Sequence, residues 1–300
     1  AFNQDHLMGT AGTGSNLCAE GDSVYIHQKE VCLRINLATG EKLGEFKTPP
    51  TSTGKPGAWG YLAAVGGIIY GTIADPEHIV KWRYLKGEME DLLTESKTFF
   101  ALDGKTGKLL WRYDAEHSIR HNAIAIGGDR VYLIDRKTAA VDTIKYRRGK
   151  GQKEPPHPGG ALLAIVASTG KVDWKKTKDI FGTMLALSAE KNILLMSYQP
   201  TRFRLPSEVG GRMAVFHTTD GYRVWDKKVD YSSRPMLNNK TIYAEGGAWD
   251  LKTGIDREFK FKRSYGCGIL AGGNHLMLFR SATLGYFDLT GTKKTYNYGG

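Results

Sequence analysis

The segment from Phe99 to Tyr113, FFALDGKTGKLLWRY, determines the fold class of this chain. Its apolar residues predict two short strands, one ending at Leu102 and the other carrying Leu109 to Trp111. A tight turn from Asp103 to Gly107 joins them. Gly107 suits that turn because glycine accepts a positive φ without a Cβ clash. The segment therefore predicts a β-hairpin.

Five further copies of this hairpin follow the same pattern, in which a Thr-Gly or Asp-Gly pair marks the turn. The six segments are LATGEKLGEF (Gly40), LDGKTGKLLW (Gly107), VASTGKVDW (Gly170), HTTDGYRVW (Gly221), DLKTGIDREF (Gly254) and DLTGTKKTY (Gly291). A tryptophan stands four residues after the glycine at Trp111, Trp174 and Trp225. Another pair of predicted strands precedes each hairpin, so the repeat is a unit of four short strands.

Repeated four-stranded units with no core-quality helix between them predict an all-β fold, a β-propeller, in which each blade buries its faces against its neighbours. Six blades are countable. We expect one propeller domain over residues 1–300, with residues 1–15 as an N-terminal linker or part of a closing blade. Insertions lengthen the connection between second and third strands at 72–98, 135–160 and 199–211.

Two of the insertions carry a local signal. In the first, the spacing of Ile79, Trp82, Leu85 and Met89 predicts a short surface helix with one apolar face. The second holds seven basic residues against three acidic ones, which predicts a loop with a net charge near +4. That loop is either a solvated tip or a contact for an acidic partner.

Composition narrows the function classes. The net charge is +11, which favours an acidic partner such as a polysaccharide, a membrane surface, nucleic acid or a protein. Nucleic acid is disfavoured, because few aromatic residues are interleaved with the basic ones to stack on bases. No apolar run is long enough for a membrane span. Three scattered cysteines, Cys18, Cys32 and Cys267, do not form a disulfide framework.

The hairpins ALDGKTGKLLW and AIVASTGKVDW resemble the repeat of PQQ-like, or quinoprotein, β-propellers, and the resemblance covers residues from about Asn16 to Tyr298. It implies seven or eight blades in a complete ring. We therefore expect either that residues before Asn16 complete a further blade or that the chain is a segment of a longer one. Members of that family divide into quinone-dependent dehydrogenases and non-catalytic scaffolds such as the outer-membrane assembly lipoprotein.

The resemblance is closer to the scaffolds. The dehydrogenases use an adjacent cysteine pair, calcium held by acidic and amide side chains, and a tryptophan stacked on the quinone. This chain has no Cys-Cys pair, CxxCH, HExxH, P-loop or nucleophile elbow. The glycine-rich segment Gly9 to Asn16 lacks the preceding strand that a dinucleotide site needs. We therefore predict no cofactor, with PQQ and calcium as the alternative.

Residues that break the repeat collect on one predicted face, formed by the interblade loops and by the second-to-third strand loops. Arginine offers a fixed fork of donors to carboxylate, sulfate or phosphate, so a ring of arginines predicts an anion-binding funnel. The alternative is that they pair with acidic neighbours. The candidates are Arg120, His121, Arg136, Tyr198, Arg202, Arg204, Arg234, Arg263, Tyr265, Cys267 and Arg280.

Histidines near that face share no ligand spacing, so we predict no metal site. Cys267 is either a reactive thiolate beside Arg263 or a small buried residue. The sequence favours a periplasmic or secreted protein that binds or organises a partner, either a protein or an acidic polysaccharide. The alternative is an enzyme in the funnel: a PQQ-dependent oxidoreductase, or a lyase on anionic polysaccharide with Tyr265 or Tyr198 as base and acid.

Overall fold

The computed structural model describes residues 17–75, 79–81, 91–93, 95–143, 149–153, 155–199, 206–259, 263, 270–281, 283–290 and 297–298. Within these ranges the regular structure is β-strand, apart from two short 3-10 turns at Ala140–Asp142 and Ala189–Lys191. The all-β prediction is confirmed. The chain divides into two compact units, the first ending at Ile180 and the second beginning at Phe181. The prediction of a single domain stays a prediction.

The first unit is built from antiparallel strands that follow the predicted pairs. Its strands are β1 (Leu17–Glu20), β2 (Ser23–Gln28), β3 (Val31–Asn36), β4 (Lys42–Lys47), β5 (Trp59–Val65), β6 (Ile68–Ala74), β7 (Ile79–Lys81), β8 (Asp91–Leu93), β9 (Glu95–Asp103), β10 (Leu109–Gly127), β11 (Arg130–Arg136), β12 (Gly160–Val166) and β13 (Val172–Lys176). Strands β1 to β4 form one sheet, and β5, β6 and β9 to β13 form another in the order β13-β12-β11-β10-β9-β6-β5.

Strand β10 belongs to two four-stranded units at once. Its first part pairs with β9, from Leu109 opposite Leu102 to Arg120 opposite Glu95. Its second part pairs with β11, from Ile119 opposite Asp135 to Gly127 opposite Arg130. The outer strand of one four-stranded unit therefore continues without a break into the inner strand of the next.

The second unit contains three four-stranded antiparallel sheets within the described residues. Their strands are β14 (Met184–Ser188), β15 (Ile193–Ser197), β16 (Met213–His217), β17 (Arg223–Lys227), β18 (Met236–Asn238), β19 (Thr241–Ala244), β20 (Gly247–Asp250), β21 (Asp256–Arg257), β22 (Ala271–Gly272), β23 (Leu276–Ser281), β24 (Thr283–Asp288) and β25 (Asn297–Tyr298). The four-stranded repeat is thus confirmed, whereas the number of blades in a complete ring stays a prediction.

The hairpin turn after β9 has the predicted geometry. Gly107 has a φ of +71°. The carboxylate of Asp103 accepts hydrogen bonds from the backbone N–H of Thr106 at 2.7 Å and of Lys105 at 3.1 Å. Hydrogen bonds from Thr106 hold the pKa of Asp103 below its ordinary value. The same turn closes at Asp250, whose carboxylate accepts from the residues that follow it.

The repeat also explains why glycine and tryptophan occur together. The Trp111 ring lies against Gly170, where a Cβ would approach it to 2.6 Å. Its indole N–H donates to the carbonyl of Ala167 at 2.7 Å. In the second unit Trp225 packs on Gly254 in the same way and donates to Leu251 at 3.0 Å. Each such tryptophan therefore joins its own hairpin to the hairpin that follows it.

The helix predicted from Ile79 onward is wrong where the structure describes it, because Ile79–Lys81 is a strand paired with Asp91–Leu93. A few apolar positions fit an extended segment as well as a helix. Here antiparallel pairing between the two strands provides hydrogen-bond partners for the backbone N–H and C=O groups. The remaining residues of that prediction, 82–90, lie outside the described residues. No helix in the described part of the chain is long and apolar enough to cross a membrane.

Candidate functional site

A buried polar network lies at the loop-bearing end of the first unit, where β6 and β11 end and β9 begins. Glu95 opens β9 and is 2% exposed. Arg120 lies opposite it on β10 and is 3% exposed. The antiparallel register alone brings these two residues together across 25 positions of sequence.

The Glu95 carboxylate has four short contacts. One oxygen accepts from Arg120 Nη2 at 3.0 Å and Nε at 3.2 Å. The other accepts from the hydroxyls of Ser118 at 2.6 Å and Thr138 at 2.7 Å. Arg120 Nη2 also lies 2.9 Å from the carboxylate of Asp142, which ends a 3-10 turn. One guanidinium is thus bonded to two buried carboxylates.

A third carboxylate, that of Asp135, shapes the path of β10. It accepts hydrogen bonds from the backbone N–H groups of Glu116, His117 and Ser118 at 2.7, 2.9 and 3.2 Å. These groups lie where the pairing register of β10 shifts between Asp114 and Ile119. Asp135 also accepts from the Tyr113 hydroxyl at 2.9 Å. Burial and this neighbouring carboxylate raise the pKa of Tyr113.

His121 lies deeper in the same sheet and is 1% exposed. Its Nε2 is 2.7 Å from Ser96 Oγ, and the Ser96 hydroxyl donates to Thr72 Oγ1 at 2.8 Å. Thr72 Oγ1 in turn accepts from the backbone of Tyr61 at 2.8 Å. The absence of a side chain at Gly60 leaves space for the His121 ring, since a Cβ at this position would lie 2.5 Å from His121 Cε1. This chain of hydroxyls therefore fixes the histidine inside the sheet.

A cavity of about 330 Å³ lies above the Glu95 network. Its described lining is polar and carries two lysines: Asp75, Lys97, His117, Ser118, Lys137, Thr138 and Thr143. Lys97 Nζ is 3.4 Å from the carboxylate of Asp75, and its side chain is 60% exposed. Ser118 and Thr138 face both the cavity and Glu95. The lining therefore carries two lysines and one carboxylate, and the bonded side chains of Glu95, Arg120 and Asp142 lie beneath it.

The structure corrects the predicted placement of two groups of site residues. The sequence places Arg120 and His121 on an interblade loop, but they lie inside β10, because Asp135 takes up the backbone donors at the bend and lets the strand continue. The sequence places Arg280 on a second-to-third strand loop, but it lies in β23, where it is exposed and opposite Leu284. Arg136 is the last residue of β11 and is 3% exposed.

The remaining candidates belong to the second unit. Tyr198 is buried, with its ring centroid 5.5 Å from that of Phe181 and its N–H donating to the Tyr231 hydroxyl at 2.9 Å. Arg263 Nε donates to Glu245 at 2.9 Å. Arg234 lies half-buried in the segment between β17 and β18. Arg202, Arg204, Tyr265 and Cys267 lie outside the described residues.

The candidates thus fall into two groups, one in each unit. The alternative interpretation is that the arginines pair with acidic residues. Two of them do so: Arg120 pairs with Glu95 and Asp142, and Arg263 pairs with Glu245. The ring of arginines as an anion-binding funnel stays a prediction.

A family model described as "Outer membrane protein assembly factor BamB" matches residues 28–260, which is more than half of the chain. The chain belongs to this family. The match spans the repeats of both units and confirms the resemblance to PQQ-like propellers. A search of curated protein sequences found no significant match.

Solved structures show the same fold. The crystal structure of BamB from Moraxella catarrhalis is 14% identical with a TM-score of 0.54, and the match covers 95% of this chain and 73% of that one. A europium-containing methanol dehydrogenase is 13% identical with a TM-score of 0.50, covering 82% of this chain and 51% of that one. At these identities the likeness establishes the β-propeller fold alone, and this chain spans about half of the dehydrogenase.

The described residues do not fit a quinone with calcium. Among them, no group of three or more His, Cys, Asp or Glu side chains is arranged to hold a metal ion. The buried carboxylates Glu95 and Asp142 are engaged by Arg120. Of the histidines, His27 packs 6.4 Å from Trp59, and burial lowers its pKa to about 4. The described residues therefore do not form a site for PQQ with calcium.

Sequence reasoning missed Glu95, Asp142 and Lys97. Glu95 and Asp142 lie in or beside the insertions, where no repeat pattern marks them. Glu95 lies four residues before Phe99, where the apolar part of β9 begins, and the residue opposite it on β10 is an arginine. That cross-strand pairing of opposite charges was the available signal.

Proposed function

We propose that this chain is a periplasmic or secreted β-propeller that binds a partner. The partner is an acidic protein, which binds at the loop-bearing end of the first unit. The observation that carries the proposal is the cavity whose exposed rim is basic. Lys97 and Lys137 lie on that rim and are both exposed. A scaffold role and this location agree with membership of the family of the outer membrane protein assembly factor BamB.

The buried network supports a binding role for the rim. Arg120 is bonded to the carboxylates of Glu95 and Asp142 instead of contacting solvent, and Glu95 in turn accepts hydrogen bonds from the hydroxyls of Ser118 and Thr138. Because these buried contacts fix the backbone beneath the cavity, the surface loses little conformational freedom when a partner binds, which favours recognition. The insertion 135–160, whose sequence has a net charge near +4, supplies Lys137, Thr138 and Thr143 to the lining of this cavity. Acidic side chains of a partner are the groups that such a surface attracts.

The experiment is affinity purification with the full chain from an extract of the native source, followed by mass spectrometry. The variant Lys97→Glu with Lys137→Glu reverses the rim charge. Its matched control, Lys105→Glu with Lys108→Glu, makes the same charge change at exposed positions of the opposite hairpin turn. Proteins retained by the wild type and the control but lost from the rim variant support the proposal. Equal retention by all three chains, or by none, overturns it.

The arginine-rich funnel belongs to the same proposal as a second anion contact. Arg202→Ala combined with Arg204→Ala is expected to abolish any rise in melting temperature caused by a small anion, because a ligand that binds only the folded state must raise it. The fold itself should be retained. An unchanged rise in the double variant removes these two arginines from the proposal.

A further inference from the structure

A second cavity of about 330 Å³ lies in the second unit. It is at the end of the sheets that carries the turns between the first and second strands of each sheet. Its described lining is rich in amides and cations: Lys191, Asn238, Asn239, Lys240, Thr241, Tyr243, Arg257, Asn274 and Leu289. None of these residues belongs to the predicted funnel. The cavity is a separate feature of the molecule.

Three successive turns build this cavity. They are the 3-10 turn at Ala189–Lys191, the turn at 239–240 and the turn at 273–275. They lie near one another because β14 contacts β18 and β18 contacts β22. Asn238 Nδ2 ties two of the turns together by donating to the carbonyl of Gly273 at 2.6 Å. The cavity walls are therefore held in place by the fold.

The charge of the lining is positive. Lys191, Lys240 and Arg257 are cations, and the described lining contains no carboxylate. Two of the cations are paired from outside the cavity, Lys191 with Glu190 and Arg257 with Asp250 at 2.6 Å. Lys240 is exposed and makes no ion pair with any described residue. An anionic group in the cavity would meet Lys240 first.

The neutral groups point to hydroxyls on the ligand. Asn238 is already bonded to Gly273 and Asn239. The side chains of Asn239, Asn274, Thr241 and Tyr243 offer both donors and acceptors, which matches the hydrogen-bonding pattern of a sugar. Leu289 and the Tyr243 ring add apolar surface for a ring face. A volume of about 330 Å³ is at the lower end for small-molecule sites, which run from about 300 to 1,000 Å³. We propose that this cavity binds a small acidic sugar, an oxyanion carried on a hydroxylated ring.

Sugar acids and sugar phosphates share this chemistry, and calorimetry with the full chain at 0.15 M salt distinguishes them. The probes are digalacturonate, glucose 6-phosphate, their neutral counterparts methyl-esterified digalacturonate and glucose, and inorganic phosphate. We expect saturable binding of one or both acidic sugars. The neutral sugars and phosphate alone are expected to bind at least about tenfold more weakly. The neutral sugars lack the anionic group, and phosphate lacks the hydroxylated ring.

Two variants localise the binding. Lys240→Glu reverses the charge inside the cavity and is expected to weaken binding by about tenfold or more. Lys252→Glu makes the same change at an exposed lysine of the same sheet that does not line the cavity, and it should stay within about twofold of the wild type. Circular dichroism and the melting temperature check that both variants are folded.

Several results would overturn this inference: no saturable binding of either acidic sugar, equal binding of the neutral sugars or of phosphate alone, or equal weakening by both variants. The last result would mean that the overall positive charge of the chain attracts the ligand. The rim variant Lys97→Glu with Lys137→Glu should bind the sugar normally. A failure of the partner interface in the first unit therefore leaves this measurement interpretable.

Discussion

The two cavities have the same volume and differ in what lies beneath their cations. In the first unit, the rim lysines stand over a buried network in which Arg120 is bonded to Glu95 and Asp142. In the second unit, Lys240 stands over amides and a tyrosine, with no carboxylate in the described lining. The cation beneath the first cavity is thus buried in ion pairs, while Lys240 in the second cavity is exposed. A net charge of +11 does not distinguish these roles, whereas burial does.

The largest expected effect is at Arg120. Arg120→Ala removes the guanidinium that pairs with the buried carboxylates of Glu95 and Asp142, so we expect a loss of about 3–5 kcal/mol in the free energy of unfolding. Urea denaturation followed by tryptophan fluorescence measures it. The control is Arg130→Ala, which removes a half-exposed pair with Asp173 and should cost no more than about 1 kcal/mol. Similar costs for the two variants would contradict the assignment of Arg120 to the buried network.

Acid should weaken the first unit before the second. Burial lowers the pKa of His27 to about 4 from an ordinary value of 6.5. Between these values the unfolded chain binds a proton that the folded chain does not, so stability falls as the pH drops from about 6.5 to 4 and is then constant. The shift corresponds to about 3 kcal/mol. Hydrogen exchange in β2 and β5 between pH 7 and 4 measures it.

The matching comparison in the second unit is Asp250. Burial opposes its ionisation, but hydrogen bonds from Arg257 and Thr253 lower its pKa to about 2. Its contribution is therefore present above about pH 3.8 and is lost only as the pH falls towards 2. The variant His27→Gln should remove the slope between pH 6.5 and 4. If the slope persists in that variant, the difference between the units has another origin.

Packing beneath the two cavities should also differ. Gly60→Ala places a Cβ 2.5 Å from the buried His121 ring, so we expect a loss of about 1–3 kcal/mol. At Gly273, in the wall of the second cavity, an added Cβ would meet no heavy atom within 4 Å. Gly273→Ala should change stability by no more than about 0.5 kcal/mol. Thermal denaturation of the two variants gives the comparison, and a reversed order would refute it.

A small effect is also expected at Arg257, which lines the second cavity. Its pair with Asp250 is 42% and 25% exposed, so Arg257→Ala should cost at most about 1 kcal/mol. The variant can therefore be used in the sugar measurements as a folded protein. A urea titration checks this, and a cost above about 2 kcal/mol would show that the wall of the second cavity depends on this arginine.

Most of the fold was predictable because the repeat is local. A turn glycine with positive φ and a tryptophan four residues later are signals within one hairpin, and Gly107 with Trp111 behaves as its sequence indicates. The helix prediction is wrong at Ile79–Lys81, the described part, because a few apolar positions cannot distinguish a strand from a helix.

The charge network was not predictable, because it depends on register. Arg120 meets Glu95 and Asp142 across 25 and 22 positions, and nothing near Arg120 in sequence marks either partner. The second cavity was missed for a related reason. Its residues lie in turns whose Asn and Gly content is ordinary for hairpins. Only the stacking of three such turns places Lys191, Lys240 and Asn274 around one space.

Strand β10 gives the first unit an unusual mechanical property. Because its 19 residues serve two four-stranded units, no slack segment separates them to act as a hinge. Tension applied along the chain would load both through the same backbone. We therefore expect them to rupture as a single event under force spectroscopy, with the chain length of two repeats released in one step.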